Sequence, residues 1–520
     1  MIRVKLVDMK KIWSNKLGFG AFVLLLSGVV CKALGALFRL PLTNLLGIEG
    51  IGIFQLVMSI YSFGLVVTCG GVTASLSKLI GAARAKGESS KITAYIHRAI
   101  FAGLSVGLLI GVVFLIFGQS ISIFQGIVNN KTYMLFVLLL PLGSVLAALR
   151  GFFQGYENML PTAISQIIEQ TFKFALGLLF AFMFSKICMT HGVFGAFLGI
   201  VLSEVLALLF LIVVYIAKNK NKKKATDYAN LKFARHEFDK ANFALTLSAS
   251  ILPLVNAFDG LVIVSRLVQA GCSSAVATKL FGIQSGVVGA ILNFPLIISM
   301  AVTTTLLPNI SYLISRGTGG KHLIERGLKI LLFLILPTTF GIIAISRQVF
   351  SLVYADMSGA MLDTAYNLMF FGGFSIVFTA LMQYFLMLLQ ANGKFRYILG
   401  ITALGGLAKA IVSFVLSAVP SINIYAIVFG NLAMTSIVSI GALVKLKKVM
   451  FLKIEAGSLF ALLFGTFAMF LTVYTFINCN YFGTITNIIL AIVLGVFVYL
   501  VLTASFSLKL LKKSFAKKSV

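Results

Sequence analysis

Apolar runs of about 20 residues, the length that crosses a bilayer as a helix, recur from Gly18 to Leu508 with short polar connections between them. The pattern predicts fourteen spans, at 17–46, 50–81, 92–117, 132–153, 161–185, 192–217, 243–268, 280–312, 328–346, 365–391, 396–418, 422–446, 456–477 and 484–506. Several exceed the bilayer thickness and must tilt, kink or project into water. With 59% hydrophobic residues against 11% charged, the chain reads as an all-α polytopic membrane protein. No connection is long enough for a folded soluble domain, so any chemistry belongs inside the helix bundle.

Charge then gives the spans a direction. The 43 Lys and Arg outnumber 14 Asp and Glu, and they cluster in alternate connections: Arg3 to Lys16, Arg84 to Arg98, Lys218 to Lys240, Arg316 to Arg326, Lys394 and Arg396, Lys445 to Lys453, and Lys509 to Lys518. The other connections hold only Lys131, Lys186, Arg266, Lys279 and Arg347. By the positive-inside rule both termini are cytoplasmic, which requires an even number of spans. The net charge of +29 is then orientation signal plus attraction to anionic lipid, and not a nucleic-acid surface. Cys31, Cys69, Cys188, Cys272 and Cys479 show neither disulfide nor metal spacing, and His97, His191, His236 and His322 sit alone near span ends, so no metal site, cofactor or catalytic group is predicted.

A repeat organises the spans. Shifting the chain by 230 residues lays Val72–Gly81 over Val302–Ser311, and a shift of 236 places Gln154 on Gln390 and Lys173 on Lys409. Six spans per repeat gives both halves one orientation, hence two lobes related by a pseudo-two-fold axis along the membrane normal. The predicted order is a cytoplasmic tail (1–16), a first lobe (17–217), a polar, basic cytoplasmic linker (218–242), a second lobe (243–446), and two extra helices with a basic tail (447–520). Spans 2 and 8 carry Gly64, Gly70, Gly71, Gly282, Gly286, Gly289, Pro295 and Pro308. Such backbone is either loosened where it lines a cavity between lobes or packed closely through glycine.

Ionisable residues within spans are costly, about 2.5 to 3.5 kcal/mol at mid-bilayer. They are Lys32, Arg39, Lys173 and Lys409 against Glu169, Glu204 and Asp259. Gly28, Lys32, Gly35 and Arg39 fall on one helical face, which suits close approach to an anion; alternatively Arg39 snorkels outward and Lys32 pairs elsewhere. Glu169 stands four residues before Lys173, so the two form either a self-neutralising structural pair or a substrate contact. Lys409 has no acid on its own helix. Spans 1 and 2 contain no carboxylate, which favours an anionic substrate such as a lipid phosphate or pyrophosphate.

The segments LGALFRLPLTNLLGIEGIGIFQLVMSIYSF (Leu34–Phe63) and ALRGFFQGYENMLPTAISQIIEQTFKF (Ala148–Phe174) resemble the stage V sporulation protein B and polysaccharide-export branch of the multidrug/oligosaccharidyl-lipid/polysaccharide superfamily, which includes lipid II flippases. The resemblance covers residues 17–446, and the last two spans agree with a fourteen-helix flippase in which they border a groove for a polyprenyl tail. It implies a non-enzymatic, alternating-access flippase of a polyprenyl-pyrophosphate-linked saccharide in the bacterial cytoplasmic membrane, functional as a monomer. Peptidoglycan, spore-cortex or polysaccharide synthesis would be its setting. Lys32, Arg39, Lys173, Lys409 and Arg266 would hold the phosphate headgroup, while Asp259, Glu169 and Glu204 would serve a coupling Na+ or H+ or act structurally. A cation-coupled multidrug exporter of the same superfamily is the alternative. A membrane enzyme of wall synthesis fits less well, since the outer connection Arg347–Thr364 offers only Asp356 and Asp363.

Overall fold

The computed structural model describes residues 16–127, 130–219, 228–315, 320–354, 357, 359–447, 456–479 and 483–504. The basic residues Arg3, Lys5, Lys10 and Lys11, Arg316, Lys448, Lys453 and Lys509 to Lys518, with linker positions 220–227, lie outside the described residues. No strand occurs among the described residues. Hydrocarbon offers backbone N–H and C=O groups no partner but their own helix, so apolar runs of this length can fold only this way.

In chain order the elements are α1 (Lys16–Cys69), α2 (Val72–Ala85), α3 (Ser89–Phe124), a 3-10 turn (Thr132–Leu135), α4 (Phe136–Gly155), α5 (Leu160–Ser185), α6 (Met189–Asn219), α7 (Tyr228–Gln269) and α8 (Ser274–Gly282). A π turn (Ile283–Val288) follows, then α9 (Gly289–Ser315), α10 (Lys321–Val353), α11 (Gly359–Ala391), α12 (Phe395–Leu416), α13 (Tyr425–Lys447), α14 (Ala456–Cys479) and α15 (Thr484–Leu502).

Thirteen stretches among the described residues are long and apolar enough to cross a membrane, and the first, Phe22–Ala85, has 64 residues. As one helix it would be about 96 Å long at ~1.5 Å per residue, far beyond one crossing. It breaks at Gly47, where φ is 70° and ψ 176°, a backbone state essentially reserved for glycine. A Cβ on Gly20 would fall 2.8 Å from Met159 Cγ and one on Gly50 3.0 Å from Met189 Cγ, so residues 20 and 50 lie at opposite ends of α5. Further on, Leu76 and Ile80 stand 2.9 and 2.7 Å from where Cβ atoms of Gly151 and Gly155 would be, back at the Met159 end. The chain therefore reverses at Gly47, and the first stretch is two crossings. That brings the number to the fourteen that the hydrophobic pattern predicts.

Two irregularities fall where glycine loosens spans 2 and 8. The Gly70–Gly71 turn separates α1 from α2, and the π turn interrupts span 8, while α9 continues helically through Pro295.

Part of the predicted basic linker is helical: residues 228–242 form the first turns of α7, which begins at Tyr228. Phe238 is fully buried, packed with Val72, Leu76, Tyr95 and Phe152. On either side, Tyr95 donates to Glu237 Oε2 at 2.5 Å and Arg98 makes a forked contact to Asp239, Nε to Oδ1 at 2.9 Å and Nη2 to Oδ2 at 2.7 Å. Gly71 N–H donates to Thr246 Oγ1 at 3.0 Å one step further along α7. By packing, the chain divides into compact units at residues 1–282 and 283–520. α7 and α8 thus belong with α1 to α6, because α1 meets both where Gly52, Gly260 and Gly282 leave no room for a Cβ.

Candidate functional site

Inside the first unit, one side of α1 is set against a polar face of α5. Ser27 Oγ donates to Gln166 Oε1 at 3.3 Å, and a Cβ on Gly35 would lie 3.8 Å from Gln170 Oε1, so the side of α1 that bears Ser27 and Gly35 faces Gln166 and Gln170. Lys32 is exposed and Arg39 half-buried. The Lys173 ammonium lies over the Phe38 ring, 5.8 Å from its centroid, and that ring in turn meets Phe54 and Phe174 edge-on.

Glu169 does not form its ion pair with Lys173. Arg150, at the end of α4, donates from Nη2 to Glu169 Oε2 at 2.7 Å and from Nε to Ser165 Oγ at 3.0 Å, and Gln170 Nε2 donates to Glu169 Oε1 at 3.2 Å. The self-neutralising reading of the Glu169/Lys173 spacing is thereby corrected: a guanidinium from another helix offers a rigid fork that a flexible ammonium one turn away does not match. Sequence reasoning misses Arg150. It lies close to the predicted end of span 4, where an arginine looks like a snorkelling residue, although it is also the R of the quoted Ala148–Phe174 segment.

Deeper in the same unit, Glu204 of α6 is 4% exposed. Tyr61 donates to its Oε1 at 2.6 Å, and its Oε2 has no hydrogen-bond partner. The rings of Phe136 and Phe197 flank Tyr61, and Glu169, Arg150 and Lys173 are within Coulombic reach of the carboxylate. The seam so formed by α1, α4, α5 and α6 holds three cations (Arg39, Arg150, Lys173) to two carboxylates (Glu169, Glu204).

The other predicted residues are placed elsewhere. Asp259, 5% exposed on α7, precedes Gly260, whose carbonyl accepts Gln125 Nε2 at 2.8 Å. Arg266, near the end of α7, donates to Gln269 Oε1 at 2.6 Å. Lys409 belongs to the second unit, 4% exposed, its Cγ 3.3 Å from where a Cβ on Gly430 would be. Also in that unit, α10, α14 and α15 line an open apolar cavity of about 370 Å³, walled by Phe333, Pro337, Gly341, Met469, Gly495 and Tyr499. Tyr499 spends its hydroxyl on the Phe333 carbonyl at 2.9 Å, which keeps the wall apolar. Among the described residues no group of His, Cys, Asp and Glu could hold a metal ion.

The described residues, all-helical and with this many membrane-length stretches, have the fold of a polytopic membrane protein, and comparison with known proteins agrees. The chain belongs to the polysaccharide biosynthesis protein family, whose model matches residues 17–314. It is 26% identical over 297 residues to stage V sporulation protein B of Bacillus subtilis (strain 168), 56% of this chain and 57% of that protein. The lipid II flippase MurJ of the same organism is 26% identical over 377 residues, 66% of this chain and 67% of that one. Among solved structures, lipid II flippase MurJ in an inward closed conformation aligns with a TM-score of 0.66 at 14% identity, covering 94% of this chain and 99% of that one. An inward-facing multidrug resistance MATE transporter gives 0.62 at 14% identity, covering 80% and 95%. At such identities the two structures support the fold alone.

Proposed function

We propose that the protein is a flippase that moves a polyprenyl-pyrophosphate-linked saccharide, a lipid II-like or polysaccharide unit, across the bacterial cytoplasmic membrane by alternating access. The observation that carries this reading is the charge balance of the seam: its cations outnumber its carboxylates, and among the described residues no carboxylate is ion-paired to Lys173. An excess of cations held at membrane depth is costly, and an arriving pyrophosphate supplies the balancing negative charge. Lys32, Arg39 and Lys173 would meet the headgroup, and the apolar cavity between α10, α14 and α15 would take part of the tail. Glu204, buried with one unbonded oxygen, and Asp259 are the candidate sites for a coupling proton or sodium ion. The named roles of the relatives, a lipid II flippase and a sporulation protein, support a setting in wall, spore-cortex or polysaccharide synthesis.

In a host without a redundant flippase, depletion should trap a polyprenyl-linked saccharide in the inner leaflet while its synthesis continues. An externally added enzyme that reaches the precursor at the normal rate after depletion would sink the proposal. Cation-driven efflux of a dye from liposomes, with no effect on the precursor, would point to the drug-exporter alternative.

A further inference from the structure

Glu169 and Lys173 are four residues apart on α5, with the acid nearer the N-terminus, the order that favours a pair along a helix. Yet both Glu169 oxygens are engaged elsewhere, Oε2 by Arg150 at 2.7 Å and Oε1 by Gln170 at 3.2 Å. Arg150 is itself fixed by Ser165, whose hydroxyl donates on to the Thr162 carbonyl at 2.8 Å. Side-chain exposures of 15% for Arg150 and 21% for Glu169 place the pair where water screens it weakly, so the choice of partner has consequences for the remaining cation. That cation is Lys173, which lies over the Phe38 ring and forms no ion pair among the described residues.

From this arrangement we infer that Arg150 is a positioning residue of the headgroup site: by occupying Glu169 it keeps the Lys173 ammonium available to a phosphate or pyrophosphate group. The inference rests on the flippase reading and deepens it by assigning how the seam avoids neutralising itself. Arg150 need not touch the substrate. Without it, the nearest cation for Glu169 is Lys173, one helical turn away, and the anion site closes on its own acid.

The test uses the purified full-length protein in detergent, with farnesyl pyrophosphate, farnesol and inorganic pyrophosphate as probes in calorimetric titrations. Wild type should bind farnesyl pyrophosphate in preference to farnesol. Inorganic pyrophosphate competing as strongly would assign the site to the free anion and not to a lipid headgroup. Arg150→Gln should weaken farnesyl pyrophosphate binding on the order of tenfold and leave farnesol unchanged. Adding Glu169→Gln to it should restore most of that affinity, because Lys173 is released again, and Arg150→Lys should lie between. A merely structural Arg150 would lower the melting temperature and gain nothing in affinity from the second substitution. The inference is overturned if Arg150→Gln binds like wild type, or if the double variant binds as weakly as the single one. Should Arg150→Gln fail to fold, Glu169→Gln alone decides: it should bind at least as tightly as wild type, and a loss refutes the inference. Wild type with no preference for the pyrophosphate over farnesol would overturn the flippase reading itself, a result separable from any behaviour of the variants.

Discussion

At the scale of single residues, chemistry follows from which partner reaches a group first. Cys188, in the connection between α5 and α6, shows this outside the membrane-spanning segments. Its Sγ lies 3.2 Å from Thr190 Oγ1 and 2.8 Å from His191 Nδ1, and these hydrogen bonds, Thr190's first, lower the thiol from its ordinary range to about 7. The folded value is depressed, so the thiolate is present above about pH 7 and is lost as pH falls through it. In a variant with serine at Cys31, Cys69, Cys272 and Cys479, an impermeant maleimide should label intact cells at Cys188, half-maximally near pH 7. Thr190→Val or His191→Ala should move that midpoint upward. Labelling only after lysis would reverse the predicted orientation. The cationic face of α1 was readable because its period is local; the Arg150–Glu169 bond was not, since it joins two helices across a turn. No spacing rule reports which of two cations an acid will choose.

Between helices, the first turns of α7 show how a charged stretch can be structural. The Arg98–Asp239 contact is partly exposed, with side-chain exposures of 31% and 41%, so it should contribute no more than about 1 kcal/mol. Burying Phe238 is worth more, and Phe238→Ala should cost roughly 3 to 5 kcal/mol by analogy with soluble cores. Thermal unfolding in detergent should therefore show a large drop for Phe238→Ala and a small one for Arg98→Glu that Asp239→Arg largely reverses. An equal loss from both single variants would mean the charges dominate. One phenylalanine amid His236, Glu237, Asp239 and Lys240 has no periodicity to reveal it, and its partners Tyr95 and Phe152 come from other helices. The apolar cavity allows a second test at this scale. A Cβ on Gly341 would lie 3.7 Å from Met469 Cε, so Gly341→Leu can be accommodated and fills part of the space. If a tail lies there, undecaprenyl pyrophosphate should lose about tenfold in affinity, the equivalent of roughly two buried methylenes at ~0.8 kcal/mol each, and farnesyl pyrophosphate should lose little. An equal loss for both chain lengths would place the tail elsewhere.

For the molecule as a whole, fold class and span count were legible because hydrocarbon leaves the backbone a single solution, and length alone separates one crossing from two. The division into compact units was not. Linker composition suggests a lobe boundary near residues 218–242, while packing groups α7 and α8 with α1 in a compact unit that runs to Gly282, and close approach of helices through glycine leaves no hydrophobic signature. The reversal at Gly47 also bears on biogenesis. A side chain there would face a strained backbone costing of order 1 to 3 kcal/mol, in competition with a straight, uninterrupted apolar rod. Were the rod to win during insertion, one crossing would vanish and every later connection would exchange leaflets, setting the basic connections that follow against the basic amino terminus. On the predicted orientation, the parity of the span count, and with it the agreement of the basic connections, depends on the torsion of one residue.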